Sequence, residues 1–189
     1  MKKTNWIFSL LLLLASNGFA AAQIEKAVEH RPSNQVIDDW VKKWEKQIVD
    51  VAEAMPADKY SFAPTNGEFK GVRTFAQQLK HAAAANYILA ASALGEPTPA
   101  DAGDETGPDS VRTKADIISY LKGSFVALHR AATAIDDQNA VIKSTPISPL
   151  QVTATRLGLV VEALLHSSNH YGQMVEYLRM NGVIPPASR

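Results

Sequence analysis

Residues 166–186, HSSNHYGQMVEYLRMNGVIPP, combine a metal-ligand spacing with a strong signal that a helix ends. His166 and His170 are four residues apart, so on a helix their rings lie one turn apart on nearly the same face. Helices use this spacing to offer two imidazoles to one metal ion. The pairs Asn-Gly at 181–182 and Pro-Pro at 185–186 stop the helix. We therefore predict a long helix with a paired-histidine site about four turns before its end.

Apolar residues recurring three or four apart extend this helix back towards Thr153, after a break at 144–149 that contains two prolines. The same period, interrupted by proline- and glycine-rich connections at 56–72 and 96–110, predicts three more helices. The first connection, with its aromatic residues, is expected to be an ordered loop, and the second an exposed one. The predicted helices run from Ser33 or Asn34 to about Ala54, from Thr74 to Leu94, from Thr113 to about Ile135, and from about Thr153 to Asn181.

Local signals support these boundaries. Thr74 with Gln77, and Thr113 with Asp116, fit the capping box, in which side chains satisfy backbone donors of the first turn. The sequence predicts an all-α fold, a four-helix bundle of the up-and-down type that can include a longer crossover. The bundle is expected to form one domain over residues 33–189. In the first helix the predicted apolar face consists of Val36, Ile37, Trp40, Val41, Trp44, Ile48, Val51 and Ala52.

Composition limits the chemistry that the chain can perform. Lysine plus arginine equal aspartate plus glutamate at 19 each in 189 residues, so no net charge favours nucleic acid or an anionic membrane. The absence of cysteine excludes disulfides, thiolate nucleophiles and cysteine-ligated metals. Any metal ion must therefore be held by histidine, carboxylate, backbone or water ligands.

The first residues predict an export signal rather than a part of the fold. Lys2 and Lys3 precede an apolar run at 6–15, and small residues at 18–22 fit two signal-peptidase sites. We predict a signal peptide over residues 1–22, removed to give a periplasmic or secreted bacterial protein. An uncleaved N-terminal anchor is the alternative. After cleavage we expect no stable membrane association, and the lack of cysteine suits an oxidising compartment.

A third ligand is needed to complete a site with His166 and His170, and His81 is the candidate. His81 lies where the second helix becomes apolar nearly all round, and a buried imidazole needs partners for both of its nitrogens. His30 lies in a polar lead-in, and His129 flanks the seam of the third helix, where a half-buried or surface histidine is ordinary. Three neutral imidazoles with an open fourth position would match a catalytic metal site.

Two other polar residues lie within about a turn of the paired histidines. Glu162 precedes His166 by one turn, and Gln173 follows His170 by less than one. Either side chain can support a ligand or lie near a bound water, but ordinary helix polarity explains both equally well. Spacing alone also leaves open that the histidines are structural and bind no ion.

Several segments resemble the DinB-like (damage-inducible) family of helical bundle proteins. The segments are MPADKYSFAP at 55–64, GEF at 67–69, VRTF at 72–75 with His81, HSSNHYGQ at 166–173, and YLRMNGVIPP at 177–186. The similarity extends over about residues 37–188. It implies a four-helix bundle in which one histidine on the second helix and two on the fourth hold a divalent cation, zinc or nickel. By position these histidines are His81, His166 and His170.

The resemblance also implies an activity class. The family includes thiol transferases and maleylpyruvate-isomerase-like enzymes, which use small thiols in the cytoplasm. The predicted export signal departs from that pattern, because an oxidising compartment is poor in such thiols. We predict a metal-dependent enzyme of hydrolase or transferase type that acts on an unidentified small molecule. The alternative is a non-enzymatic bundle that binds a metal or a partner, and a homodimer is compatible with either.

Overall fold

The computed structural model describes residues 31–67, 70–102, 104–142 and 155–189. Four long helices and no β-sheet occur in these ranges, which confirms the predicted all-α fold. No helix in the described ranges has the length and hydropathy of a membrane span. The predicted signal peptide and His30 lie outside the described residues. The helices are α1 (Ser33–Ala54), α2 (Phe75–Leu94), α3 (Lys114–Thr133) and α4 (Arg156–Met180).

The helices begin where local side chains satisfy the first backbone donors. Both predicted capping boxes form, with Thr74 and Gln77 exchanging bonds at the start of α2, and Thr113 and Asp116 at the start of α3. α4 begins at Arg156, and the predicted start near Thr153 lies outside the described residues. The hydroxyl of Thr155 accepts a hydrogen bond from a first-turn N–H of α4, so this threonine is the cap of the helix.

The start of α1 is held by its neighbour. The Ser33 hydroxyl donates to Asp137 at 2.7 Å, and the Asn34 amide donates to the Thr133 carbonyl at 3.3 Å, so both side chains predicted as caps bond to the end of α3. At the other end of α1, the Lys114 ammonium donates to the carbonyl of Met55 at 2.8 Å. The two helices therefore run antiparallel.

The order of the helices around the bundle is not a simple sequential one. α1 and α2 each pack against both α3 and α4, which places α1 diagonally opposite α2. The contacts Asn86–Ser124 and, further along, Glu96–Arg130 show that α2 and α3 run in the same direction. The connection between them must therefore return along the bundle, and it is the longer crossover that the sequence left open.

This crossover corrects one prediction, because it is not simply exposed. Ala102 is fully buried against Ala84 and Ile88 of α2. Gly107 has a φ of +70°, a conformation that residues with a side chain rarely adopt. A Cβ on this residue would also lie only 3.1 Å from the Tyr120 ring and 3.3 Å from the Lys80 side chain, so glycine is required there. The crossover is thus packed along α2, in the part of the molecule where His81 lies.

The core follows the predicted helical periods with exceptions on α1. From Ala82 onward α2 is buried nearly all round, as its apolar sequence predicts. The predicted seam of α3 is buried except for Ile118, which is half-buried; its members are Ile118, Leu121, Phe125, Leu128, Ala132 and Ile135. Val36 and Trp40, predicted to be apolar-face residues, are exposed, Trp40 by 48 %. Its ring instead receives the Lys43 ammonium at 4.4 Å. The largest fully buried side chains are Phe75, Phe125, Ile48, Met55, Leu79, Ile117, Leu121, Leu128, Ile135, Met174, Leu178 and Val41.

Candidate metal centre

The packing of α2 against α4 brings together the three histidines singled out in the sequence. The Nε2 atom of His166 lies 3.1 Å from Nε2 of His81 and 3.1 Å from Nε2 of His170. One ligand atom from each residue falls within 4.8 Å of the others, and among the described residues this is the one such group of three. The rings meet edge to face, with centroids 4.4–4.8 Å apart.

The spacing of these nitrogens fits one metal ion. Imidazole nitrogens bind zinc at about 2.0–2.1 Å, so two tetrahedral ligands lie roughly 3.3 Å apart. The separations of 3.1 Å are close to this value, and only small ring movements would be needed. His81 and His170 are 5 % and 6 % exposed, so both rings are shielded from solvent. The three residues therefore form a compact set of neutral nitrogen donors.

The outer nitrogen of His81 is held by the crossover. Its Nδ1 lies 2.8 Å from the backbone carbonyl of Glu105, and a carbonyl can only accept, so the ring carries its proton on Nδ1. The lone pair is then on Nε2, the nitrogen that faces the other histidines. Glu105 has a φ of 62°, a left-handed conformation that is uncommon for a residue with a side chain. A strained residue thus provides the acceptor that fixes the tautomer of His81.

A chain of amides fixes His170 in the same way. Its Nδ1 donates to Oε1 of Gln78 at 2.6 Å, and Gln78 is only 3 % exposed. The Gln78 amide donates in turn to Oε1 of Gln173 at 2.8 Å, and Gln173 donates to Asn169 at 3.4 Å. In this orientation of the amides, each oxygen accepts and each amide nitrogen donates along the chain. The lone pair of His170 is therefore also on Nε2.

His166 differs from the other two histidines. Its Nδ1 is buried and has no hydrogen-bond partner among the described residues. Without an ion, two lone pairs cannot face each other at 3.1 Å, so the proton of His166 lies on Nε2, between its two neighbours. With an ion, that proton must move to Nδ1 or leave. His166 is therefore the candidate ligand that the protein orients least.

All three imidazoles are neutral at neutral pH. Burial lowers the pKa of His166 to about 4 and that of His170 to about 3, and the positive charges of neighbouring histidines and Arg73 add to the effect. Burial also lowers the pKa of His81, partly opposed by its bond to Glu105. Neutral imidazole is the form that binds metal, so the site is ready to accept a cation without first losing protons to solvent.

His129 belongs to a different cluster. Its Nδ1 lies 2.5 Å from Asp38, and its Nε2 lies 3.1 Å from Glu45, so each nitrogen has a carboxylate partner on α1. Asp38 also binds Lys42 at 2.7 Å. His129 is half-buried, as predicted, but its two carboxylate partners lie 91 and 84 residues away in the chain and had no local signal in the sequence. Because both nitrogens have carboxylate partners, this cluster is a network of polar contacts that joins α1 and α3.

The two polar residues near the paired histidines have different environments. Gln173 belongs to the amide chain behind His170, whereas Glu162 is exposed on α4. The sequence pattern missed Gln78 and Glu105, which provide the acceptors for two of the three rings. Gln78 lies three residues before His81, on nearly the same face of a buried helix. A polar residue at that position was the one local signal that could have identified it. Nothing in the local sequence indicated the Glu105 carbonyl.

A match to a family model covers the part of the chain that contains the three histidines. A family model described as the DinB superfamily matches residues 42–174, which include all three histidines. The chain belongs to the DinB superfamily. No curated protein matches the chain. The resemblance seen in the sequence is thus confirmed, and the three residues that it implied as ligands lie together in the fold of this DinB protein.

Proposed function

We propose that this DinB protein binds one divalent cation through Nε2 of His81, His166 and His170. The observation that carries the proposal is the convergence of three neutral imidazoles, those of His81 and His170 buried and that of His166 half-buried, whose Nε2 atoms lie 3.1 Å from one another in two pairs. Imidazole ligands suit zinc, nickel, copper and iron, and the family resemblance favours zinc or nickel. The Glu105 carbonyl and the Gln78 amide hold two of the rings in the tautomer that such binding needs.

Three protein ligands leave room for a water or a substrate, as in catalytic rather than structural zinc sites. A divalent cation held there supplies Lewis acidity, which lowers the pKa of bound water or polarises a carbonyl. The chain itself contributes rigid, neutral donors and two fixed proton positions, on Nδ1 of His81 and Nδ1 of His170. We infer a metal-dependent reaction of hydrolase or transferase type on a small molecule. Membership of a family with thiol transferases supports this class.

We also propose that the protein acts outside the cytoplasm. The support is the basic start, apolar run and small-residue cleavage sites in the first 22 residues, together with the lack of cysteine. A compartment poor in small thiols favours a hydrolytic reaction over thiol transfer. The neutral charge balance favours a small-molecule substrate over nucleic acid as the partner.

Metal analysis of the purified mature chain tests the proposal. We expect about one equivalent of zinc or nickel in the wild-type protein. The triple variant His81→Ala, His166→Ala, His170→Ala should contain none and should still give the helical circular dichroism of a bundle. A wild-type protein that stays metal-free after incubation with zinc and with nickel would refute the proposal. A loaded protein with no turnover on ester, amide or thiol-acceptor panels would favour the non-enzymatic alternative.

A further inference from the structure

Glu105 has a backbone conformation that its residue type does not favour. Its φ of 62° is a left-handed value that glycine, asparagine and aspartate adopt more readily, and no other described residue with a side chain has a positive φ. The turn is fixed on both sides. The Glu105 N–H donates to the Ala102 carbonyl at 3.2 Å, and the Asp104 carboxylate accepts from the N–H and the hydroxyl of Thr106 at 3.1 and 2.8 Å. These contacts hold Glu105 in a strained conformation.

The carbonyl contact with His81 does not explain why a glutamate lies at this position. The 2.8 Å bond to Nδ1 of His81 uses the backbone carbonyl, which every residue type has. Glycine would provide the same carbonyl at this φ without strain. What a glutamate adds is its carboxylate, and Oε2 lies 4.0 Å from the same Nδ1 atom. The side chain, and not the carbonyl, distinguishes Glu105 from a residue that suits the turn.

The Glu105 carboxylate is close to the candidate centre and partly shielded from water. The side chain is 30 % exposed, and the neighbouring side chain of His81 is 7 % exposed. Among the described residues, no other carboxylate lies within 4.0 Å of a nitrogen of the three histidines. A divalent cation on three neutral imidazoles keeps both of its charges. A carboxylate behind the ring of His81 would therefore stabilise the bound ion.

We propose that Glu105 is a positioning residue for the metal centre through its carboxylate as well as its carbonyl. When a divalent cation binds Nε2 of His81, the ring becomes a stronger donor at Nδ1, and the carboxylate moves in to accept that hydrogen bond. A hydrogen bond to an ionised acceptor is about twice as strong as one to a neutral acceptor. The crossover thus supplies the negative charge that the three ligands lack. This inference rests on the proposed function, because it requires a bound ion.

Substitutions at residue 105 separate the charge from the carbonyl and from the strain. Glu105→Gln removes the charge and keeps the length of the side chain. Glu105→Asp and Glu105→Asn form a second pair, because both new residue types tolerate the left-handed region and differ from each other mainly in charge. Glu162→Gln is the matched control, because that carboxylate is exposed one turn before His166 and forms no ion pair with the three histidines.

Zinc affinity is measured by competition with a chromogenic chelator at neutral pH. We expect Glu105→Gln to bind zinc about five- to tenfold more weakly than the wild type, and Glu105→Asn to bind it more weakly than Glu105→Asp. Glu162→Gln should bind within about twofold of the wild type. If Glu105→Gln matches the wild type, if Glu162→Gln loses as much, or if the second pair binds equally, the inference is overturned and the metal site stands.

Nuclear magnetic resonance of ¹⁵N-histidine-labelled protein provides a readout that a change in stability would not produce. In the zinc-loaded protein, the Nδ1 proton of His81 should resonate further downfield in the wild type and Glu162→Gln than in Glu105→Gln, because a carboxylate draws the proton more strongly than a neutral acceptor. An unchanged resonance in Glu105→Gln would overturn the inference. A wild type that binds no zinc would overturn the proposed function and this inference with it.

Discussion

Replacing Gln78 with leucine is expected to weaken metal binding without removing any of the three histidines. Gln78 accepts the Nδ1 proton of His170 at 2.6 Å in a site from which solvent is excluded. In the metal-free variant no ion holds the His170 ring, so the ring can turn and give its N–H another partner, and the loss is partly avoided. In the metal-bound variant Nε2 is occupied, and the proton is forced onto an unpaired, buried Nδ1.

The magnitude follows from that asymmetry. A buried donor without a partner costs about 1–3 kcal/mol, and here the cost falls mainly on the metal-bound state. At about 1.4 kcal/mol for each tenfold change, the dissociation constant should rise roughly 10- to 100-fold. Gln78→Glu keeps an acceptor at the same place and should bind within about threefold of the wild type, or more tightly.

Competition with a chromogenic chelator, using Zn²⁺ at neutral pH, measures this difference. Gln173→Leu is the matched control, because it removes the partner of the Gln78 amide and leaves the bond to His170 intact. The bond between Gln78 and Gln173 is lost equally in the metal-free and the metal-bound states, so the metal affinity should change by less than about threefold. If Gln78→Leu folds normally and binds zinc as tightly as the wild type, the amide chain does not orient His170.

Three further outcomes are expected. His129→Ala should leave metal content unchanged by mass spectrometry, while His170→Ala removes most of it, and equal losses would mean that the ligand set is wrong. In the presence of a chelator, thermal stability should fall as the pH drops from about 6.5 towards 4, because the unfolded chain takes up protons that His166 and His170, with a folded-state pKa of about 4 and about 3, do not. This stability is present above the unfolded pKa and lost on acidification, and a midpoint independent of pH in that window would contradict the buried, neutral cluster. Protein recovered from the periplasm or medium should have an intact mass that lacks the first 20–22 residues, and a full-length mass in a membrane fraction would disprove cleavage.

The helices could be predicted because their signals are local. A capping box needs only Thr74 and Gln77, three residues apart, and both of its bonds form. The buried seam of α3 follows from residues three and four apart in the same helix. At the start of α4 the hydroxyl of Thr155 satisfies a first-turn N–H, a local contact that apolar periodicity alone does not indicate.

The arrangement of the helices depends on non-local contacts and could not be predicted. Helical periodicity identifies a face but not the helix that covers it, so the diagonal placement of α1 and α2 had no signal in the sequence. The same limit explains Trp40, whose apolar ring is exposed at the edge of its helix, and Asp38, which is buried because His129 and Lys42 bind it.

In the candidate site, too, the residues with local signals could be predicted and those that depend on distant contacts could not. His166 and His170 were found from a spacing of four within one helix, and His81 from the apolar stretch that it begins. The groups that orient them come from elsewhere: Gln78 reaches His170 across 92 positions in sequence, and the Glu105 carbonyl belongs to the crossover. A backbone carbonyl has no residue-type signature, so sequence alone cannot identify it.

X-ray absorption spectroscopy of the zinc- or nickel-loaded mature protein tests the central claim most directly, because it counts the imidazoles bound to the ion. We expect scattering from three imidazole rings with nitrogens at about 2.0–2.1 Å in the zinc form, together with at least one oxygen ligand from water. The triple-alanine variant should give no bound metal to measure. A spectrum of the wild type with one imidazole or none, or with a shell made mainly of carboxylate oxygens, would contradict a three-histidine centre.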